Sequence, residues 1–304
     1  MTVVKILIIR FSSIGDILLV TPLLRCLAEQ IPEVELHFIT KEQFLPLLNL
    51  NPHLKKIHVF KKEPESCLEA LRSENFSHIL DLHNNLRSLK LKTKLNVPAF
   101  SFNKLNLQKF AAVYFKMRQT LPPVHIVRRY FDAAAFFNVK EDEKGLELFI
   151  DIQDDVSYGR LSGKAETPFL ALVIGGSYFT KQIPIEKLRE IIQYAKLPVV
   201  LMGGPEDKII ADKLSSEFPE VLQTCGQLSL MQSASLISKA EWVVTSDTGL
   251  MHMAAAFNRK IISVWGNTIP EFGMGPYQPH TQNVISQINN LPCRPCSKLG
   301  HHRC

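Results

Sequence analysis

No apolar run in the 304-residue chain approaches the ~18–20 residues that a membrane-crossing helix needs. The N-terminus has one lysine, a short apolar strand and then serines, without a small-residue cleavage site, and reads as a cytosolic start rather than a signal peptide. No G-x-x-x-x-G-K-[ST] occurs and no G-x-G-x-x-G follows the first strand, which weakens ATPase and dehydrogenase readings. A G-x-S-x-G elbow, the mark of one large hydrolase class, is missing too. The cysteines (Cys26, Cys67, Cys225, Cys293, Cys296, Cys304) are too dilute for a disulfide scaffold, and the first three fall in elements that read as buried, where a reduced thiol packs as a small apolar group. Cys293, Cys296 and Cys304 form C-x2-C-x7-C beside His301 and His302, a spacing compatible either with zinc or with a clamped or frayed tail. Acidic pairs such as Asp154–Asp155 lie in polar, linker-like sequence and read as solvated, so nothing here demands a catalytic metal or other cofactor.

Acidic residues are also missing from His83 to Phe131, a stretch that holds Arg87, Lys90, Lys92, Lys94, Lys104, Lys109, Lys116, Arg118, Arg128 and Arg129. The net charge of +6 is therefore concentrated there. A block of one sign raises a local potential that draws an anion, whether a phosphorylated substrate, an anionic membrane surface or nucleic acid; the alternative is a solvated helical face.

What is present is alternation. Short apolar runs at 3–10, 34–40, 56–60, 78–82 and 99–102 alternate with amphipathic stretches, beginning with a helix expected over 17–29. The pattern repeats with strands at 169–174, 199–202, near 221, 242–245 and 261–265, and helices over 184–195, 206–218 and from Gly249. Alternation of this kind predicts an α/β protein with parallel sheets covered on both faces. The polar, turn-rich stretch 149–168 is the best linker, which places a boundary near residue 160 and gives domains 1–160 and 161–304. Two such domains facing one another would leave a cleft at the carboxyl ends of both sheets, where open α/β folds bind ligands.

Four constellations could carry chemistry. In VVTSDTGLMHMAAA (243–256), a strand gives way to Asp247, Thr248 and Gly249 and then to a helix, whose unpaired first-turn N–H groups are a natural anion seat; His252 falls on the same turn. Asp247 or Thr248 could equally be a helix cap. In VIGGSYFTKQIP (173–184), Lys181 sits where an ammonium could reach a phosphate, with Ser177 and Thr180 as further donors, though a surface lysine would look the same. In VVLMGGPEDK (199–208), Glu206 opens a helix and either compensates its dipole or accepts ribose hydroxyls. In RFSSIGDILLVTP (10–22), Asp16 follows the first strand either as a helix cap or as a base at the mouth of the sheet.

Taken together with DLHNNLRS (81–88), these motifs resemble, in order from about residue 4 to 296, the ADP-heptose:lipopolysaccharide heptosyltransferases of glycosyltransferase family nine. The resemblance implies a GT-B fold of two Rossmann-like domains, an N-terminal acceptor-side domain and a C-terminal domain that holds ADP-heptose. It makes Asp16 the general base, Lys181 a ligand of the donor diphosphate, Glu206 the ribose partner, Leu228 an adenine contact, and Asp247, Thr248, Gly249 and His252 the phosphate and sugar site. Ser13, Gly15, Arg87, Lys90, Arg128 and Arg129 become candidate contacts of an anionic glycolipid acceptor, met at the inner face of a membrane, with no nucleic acid involved. Two positions depart from the family pattern: Ile183 follows Lys181-Gln182 where tryptophan is common, and Leu228 replaces a methionine.

A base must take the proton of the attacking hydroxyl, and positive charge must meet the departing diphosphate. With no second carboxylate evident opposite Asp16, the expected reaction is a single inverting displacement. The rival readings are a GT-B transferase or epimerase using another nucleotide sugar, and a non-catalytic nucleotide- or anion-binding protein.

Overall fold

The computed structural model describes residues 3–61, 63, 65–277 and 283–304. By its contacts the chain divides into two units, Met1–Asn106 with Val124–Phe149, and Leu107–Pro123 with Ile150–Cys304.

The first unit contains β1 (Val4–Ile9), α1 (Ile14–Leu18), α2 (Thr21–Gln30), β2 (Val34–Thr40), β3 (Lys56–Val59), α3 (Glu65–Arg72), β4 (His78–Asp81), α4 (Leu86–Leu95) and β5 (Ala99–Ser101). The five strands form one sheet in the order β3-β2-β1-β4-β5, every pairing parallel. β1 lies at its centre because VKILII is aliphatic on both faces; Ile6 to Ile9 are wholly buried. Leu7, Ile9, Phe11, Ile39, Phe60 and Ile79 join Leu71 and Leu91 in one core, with the Phe11 and Phe60 rings stacked at 3.8 Å. The single helix expected over 17–29 is two. Pro22 has no N–H to continue a helix and fits a first turn, so α2 restarts there, with the Thr21 hydroxyl donating to the carbonyl of Leu18 at 2.7 Å.

The chain continues through α5 (Asn106–Tyr114), which apart from Asn106 packs with the second unit, and α6 (Ile126–Ala133), which returns to the first. The second unit then runs α7 (Tyr158–Ser162), β6 (Leu170–Val173), α8 (Ile185–Tyr194), β7 (Val199–Met202), α9 (Lys208–Glu217), β8 (Leu222–Gln223), α10 (Leu230–Lys239), β9 (Trp242–Ser246), α11 (Gly249–Ala256), β10 (Lys260–Trp265) and β11 (Val284–Gln287). Its sheet has the order β11-β10-β9-β6-β7-β8, again parallel throughout.

Relative to the boundary read near residue 160, the division falls at Phe149/Ile150. The cause is local bonding: the Ser235 hydroxyl accepts the Val156 N–H at 3.0 Å, Lys239 donates to the Val156 carbonyl at 2.7 Å, and Tyr158 stacks on Phe169. Ala112, Val113 and Leu121 likewise form a cluster with Ile269 and Phe272 that ties 107–123 to the second unit. Cys26, Cys67 and Cys225 are buried, and burial pushes the Cys225 thiol up to about 12. Among the described residues no helix is long and apolar enough to cross a membrane.

Candidate active site

At the carboxyl end of β1 the chain passes through Arg10, Phe11, Ser12 and Ser13 into α1. Ser13 is the N-cap and Asp16 its third-residue partner, so Asp16 is not itself the cap. Asp16 Oδ2 accepts the Ser13 N–H at 3.1 Å and the Ser13 hydroxyl at 2.8 Å, while Oδ1 lies 2.5 Å from Arg10 Nη2. Each carboxylate oxygen has two lone pairs, so the carboxylate keeps acceptor capacity beyond these bonds, and the Asp16 side chain remains 20% exposed. Burial raises the Asp16 carboxyl, but the Arg10 charge and the Arg10 and Ser13 hydrogen bonds outweigh it and hold the group below its ordinary 3.8.

Arg10 is fixed in turn. Its Nε donates to the Ser12 carbonyl at 2.8 Å and its Nη1 to the carbonyl of Leu82, at the end of β4. Around it, burial keeps two other groups neutral: Tyr130, fully buried with no hydrogen-bond partner for its hydroxyl, is raised, and His83 is lowered to about 4, with Arg10 and Lys104 adding to the effect. Asp81, singled out by no sequence reading, is fully buried and shapes the next loop. It accepts the N–H groups of His83 and Asn84 at 3.1 and 2.6 Å and pairs with Lys92 at 3.0 Å.

The basic candidates separate. Gly15 is buried in α1 beside the exposed Ser13; Arg87 and Lys90 are exposed on α4, which Asn85 caps by accepting the Arg87 and Ser88 N–H groups. Arg128 is exposed and lies 3.6 Å from Glu141. Arg129 is buried at 3% exposure and does not belong to that open surface, a correction to reading the two arginines together. Consecutive helical residues point about 100° apart, and Arg129 shares the inner stripe of α6 with Ile126, Tyr130 and Ala133. Lys116 is also spent internally, donating to the carbonyls of Val113, Cys293 and Pro295.

In the second unit the loops after β6, β9 and β10 converge. Lys181 Nζ lies 2.7 Å from Asp247 Oδ2 and 3.3 Å from the Asp247 carbonyl, and the Thr268 hydroxyl donates to the same Oδ2 at 2.9 Å. Lys181 is therefore an aimed ammonium rather than a loose surface charge, and Asp247 is its orienting partner. Gly266 permits the approach, since a Cβ there would stand 2.4 Å from the Thr180 carbonyl, which accepts the Asn267 N–H at 3.2 Å. Beyond Asp247, Thr248 is the N-cap of α11, yet its side chain caps nothing and instead lies 3.1 Å from the Thr245 hydroxyl. The first-turn N–H groups from Gly249 onward thus have no side-chain cap and carry the positive end of the helix dipole. His252 is buried on that helix.

Ser177 is exposed in the loop after β6, whereas the Thr180 hydroxyl is engaged with the backbone of His301. Glu206 is exposed and Leu228 half-buried. Beside Glu206 stands a residue the sequence reading passed over: Asp207 is buried and accepts the Gly204 N–H at 2.8 Å. A Cβ at Gly175 or Gly203 would come within 2.2 or 2.6 Å of its Oδ2, so these glycines make room for that carboxylate.

The C-terminal tail is clamped. Arg294 is buried and donates to the carbonyls of Thr268 and Ile288 and to Gln287 Oε1. Cys293 and Cys296 lie side by side, but they form no group of three potential ligands, with Cys304 or a tail histidine, whose ligand atoms all lie within 4.8 Å of one another. Among the described residues, the group of His, Cys, Asp or Glu side chains whose ligand atoms all lie within 4.8 Å of one another is His37, His58 and Glu74, in the first unit.

Comparison with known proteins bears on what these sites are for. The family model described as glycosyltransferase family 9 (heptosyltransferase) matches residues 65–301. Lipopolysaccharide heptosyltransferase 1 of Campylobacter coli is 22% identical over 293 residues, 87% of this chain and 84% of that protein. A family 9 glycosyltransferase from Veillonella parvula superposes with a TM-score of 0.77 at 20% identity, over 93% of this chain and 86% of that one. The E. coli heptosyltransferase WaaC with ADP gives 0.71 at 20% identity, over 94% and 93%.

Proposed function

Because the chain belongs to glycosyltransferase family 9, the heptosyltransferases, and is a glycosyltransferase of the two-sheet GT-B class, we propose that it moves heptose from ADP-heptose to an anionic lipopolysaccharide-core acceptor, with inversion and without a metal. The observation that carries this reading is the Lys181–Asp247–Thr268 triad beside the uncapped start of α11. An aimed ammonium and open backbone N–H groups together suit a diphosphate, and they offer the positive charge that a leaving diphosphate needs. The Campylobacter coli relative is named a lipopolysaccharide heptosyltransferase and the E. coli structure holds ADP, which supports the choice of donor.

Asp16 takes the proton of the acceptor hydroxyl, with Arg10 and Ser13 fixing the carboxylate as an anion. Lys181, Thr248 and the Gly249 N–H hold the diphosphate and stabilise it as it leaves. Ser177 and His252 line the donor side, Glu206 binds ribose and Leu228 packs on adenine. Ser13, Gly15, Arg87, Lys90 and Arg128 serve the acceptor. Thermal stabilisation distinguishes the nucleotide: ADP is expected to raise the melting temperature by mass action, with UDP, GDP and CMP giving little. Stabilisation by UDP and not ADP would contradict the assignment.

The acceptor's lipid suggests a membrane surface, and α5 supports one. Leu107 is 82% exposed, and Phe110, Tyr114 and Phe115 are exposed beside it in the stretch that lacks acids. Co-sedimentation with anionic phospholipid vesicles should fall severalfold in Leu107→Ser/Phe115→Ser; undiminished binding would remove α5 from that role.

A further inference from the structure

His37 on β2 and His58 on β3 project from one face of the first sheet. The register sets His58 opposite Ile39, two residues beyond His37, so the two imidazoles are diagonal neighbours. Both are buried, and His37 Nδ1 lies 3.0 Å from His58 Nε2. Glu74, beyond the end of α3, brings its Oε2 within 4.0 Å of that same His37 nitrogen. On the far side of the ring, His37 Nε2 is buried without a hydrogen-bond partner and faces Glu35 Oε2 at 4.0 Å.

We infer that His37, His58 and Glu74 form a binding site for a divalent transition metal of the zinc class, outside the residues assigned to sugar transfer. In a tetrahedral site with Zn–N distances of about 2.0–2.1 Å, two ligating nitrogens stand roughly 3.3 Å apart. The observed 3.0 Å needs to open by only a few tenths of an ångström, and the Glu74 oxygen needs to close by less than one. One of the facing nitrogens carries a hydrogen while they bond to each other. Moving it to the outer nitrogen of its ring frees both inner lone pairs, with no net change in protonation. The outer Nε2–H of His37 then points at Glu35, which gives that nitrogen its missing partner and makes the carboxylate–histidine–metal relay that orients metal-bound imidazoles. Glu74 would ligate through Oε2, leaving Oε1 to Lys56, which stands 2.6 Å from it; the Lys56 side chain is 55% exposed and can follow the carboxylate as it shifts. Two imidazoles and one carboxylate leave a fourth position for water. The ion would pin β2 and the edge strand β3 to the segment after α3.

Zinc binding to the metal-stripped full chain tests this. The background is Cys293→Ser/Cys296→Ser/Cys304→Ser, so that tail thiols cannot supply the ligands. One equivalent of zinc is expected to bind, with nitrogen and oxygen but no sulfur neighbours by X-ray absorption, and to raise the melting temperature. Adding His58→Gln should abolish binding, Glu74→Gln should weaken it at least tenfold, and Glu35→Gln should weaken it by about 10- to 100-fold as the orienting carboxylate. Glu74 lies at the rim of the cluster, so its variant decides the matter if His58→Gln fails to fold. No zinc bound in the background without the tail cysteines, or affinity unchanged in Glu74→Gln, overturns the inference.

Discussion

Asp16→Asn is expected to lower the turnover of sugar transfer by roughly 10²–10⁴-fold, the usual worth of a positioned general base, while ADP binds as tightly as before. Asparagine keeps the shape and can still accept from Ser13, but it cannot take the acceptor's proton. It also removes the anion that Arg10 faces. Arg10 is buried and would keep only the carbonyls of Ser12 and Leu82, so a loss of stability of about 3–5 kcal/mol accompanies the change. Comparing turnover with ADP affinity at a temperature where the variant is folded separates the two effects. The pH dependence has a definite sign. The Asp16 carboxyl is held below 3.8, so it is ionised, and competent as a base, throughout the neutral range. The acid limb of kcat/KM from this group should lie below that value, and a limb near pH 6 would point to a different base.

The second large effect belongs to Lys181. Lys181→Ala should cost about 10²–10³-fold in kcat, as loss of one preorganised donor to a leaving anion does, and should weaken ADP as well. Part of that loss comes from Asp247, whose carboxylate would lose its ammonium partner and keep only the Thr268 hydroxyl beside an incoming diphosphate. Lys181→Ala/Asp247→Asn should therefore bind ADP more tightly than Lys181→Ala alone, with a coupling of about 0.5–3 kcal/mol in a double-mutant cycle. Strict additivity would mean that the pair braces the loops without setting the charge at the phosphate seat.

The central strands were legible in the sequence because they are buried on both faces: β1 from Ile6 onward and β7 are continuous apolar runs, and 34–40 and 199–202 match strand ends to the residue. β11 was not legible, since Val284 and Ile285 at the sheet edge are half exposed and Ser286 and Gln287 are polar, which leaves no periodic signal. The break between α1 and α2 was written in Pro22 and was overridden by the helical spacing around it. Glycines and acids marked the turns at the carboxyl ends of the strands, but not which carboxylate is buried and which is exposed. Glu206 and Asp207 are adjacent in sequence, yet one is exposed and the other is buried against glycines of two loops. The ion pair of Lys181 with Asp247 spans 66 positions, and the contact of His37 with His58 depends on strand register; neither has a local pattern. Cysteine spacing at the tail left zinc and a clamped or frayed tail open; the structure shows a clamp, built on Arg294, which no cysteine spacing signals.

The most direct test of the central claim is transfer from ADP-heptose to a lipopolysaccharide-core acceptor in the presence of EDTA, with the product's new linkage assigned by NMR. The expected result is a heptosylated acceptor with inverted anomeric configuration, formed at the same rate with and without EDTA and lost in Asp16→Asn. Retained configuration, or full transfer by Asp16→Asn, would contradict it.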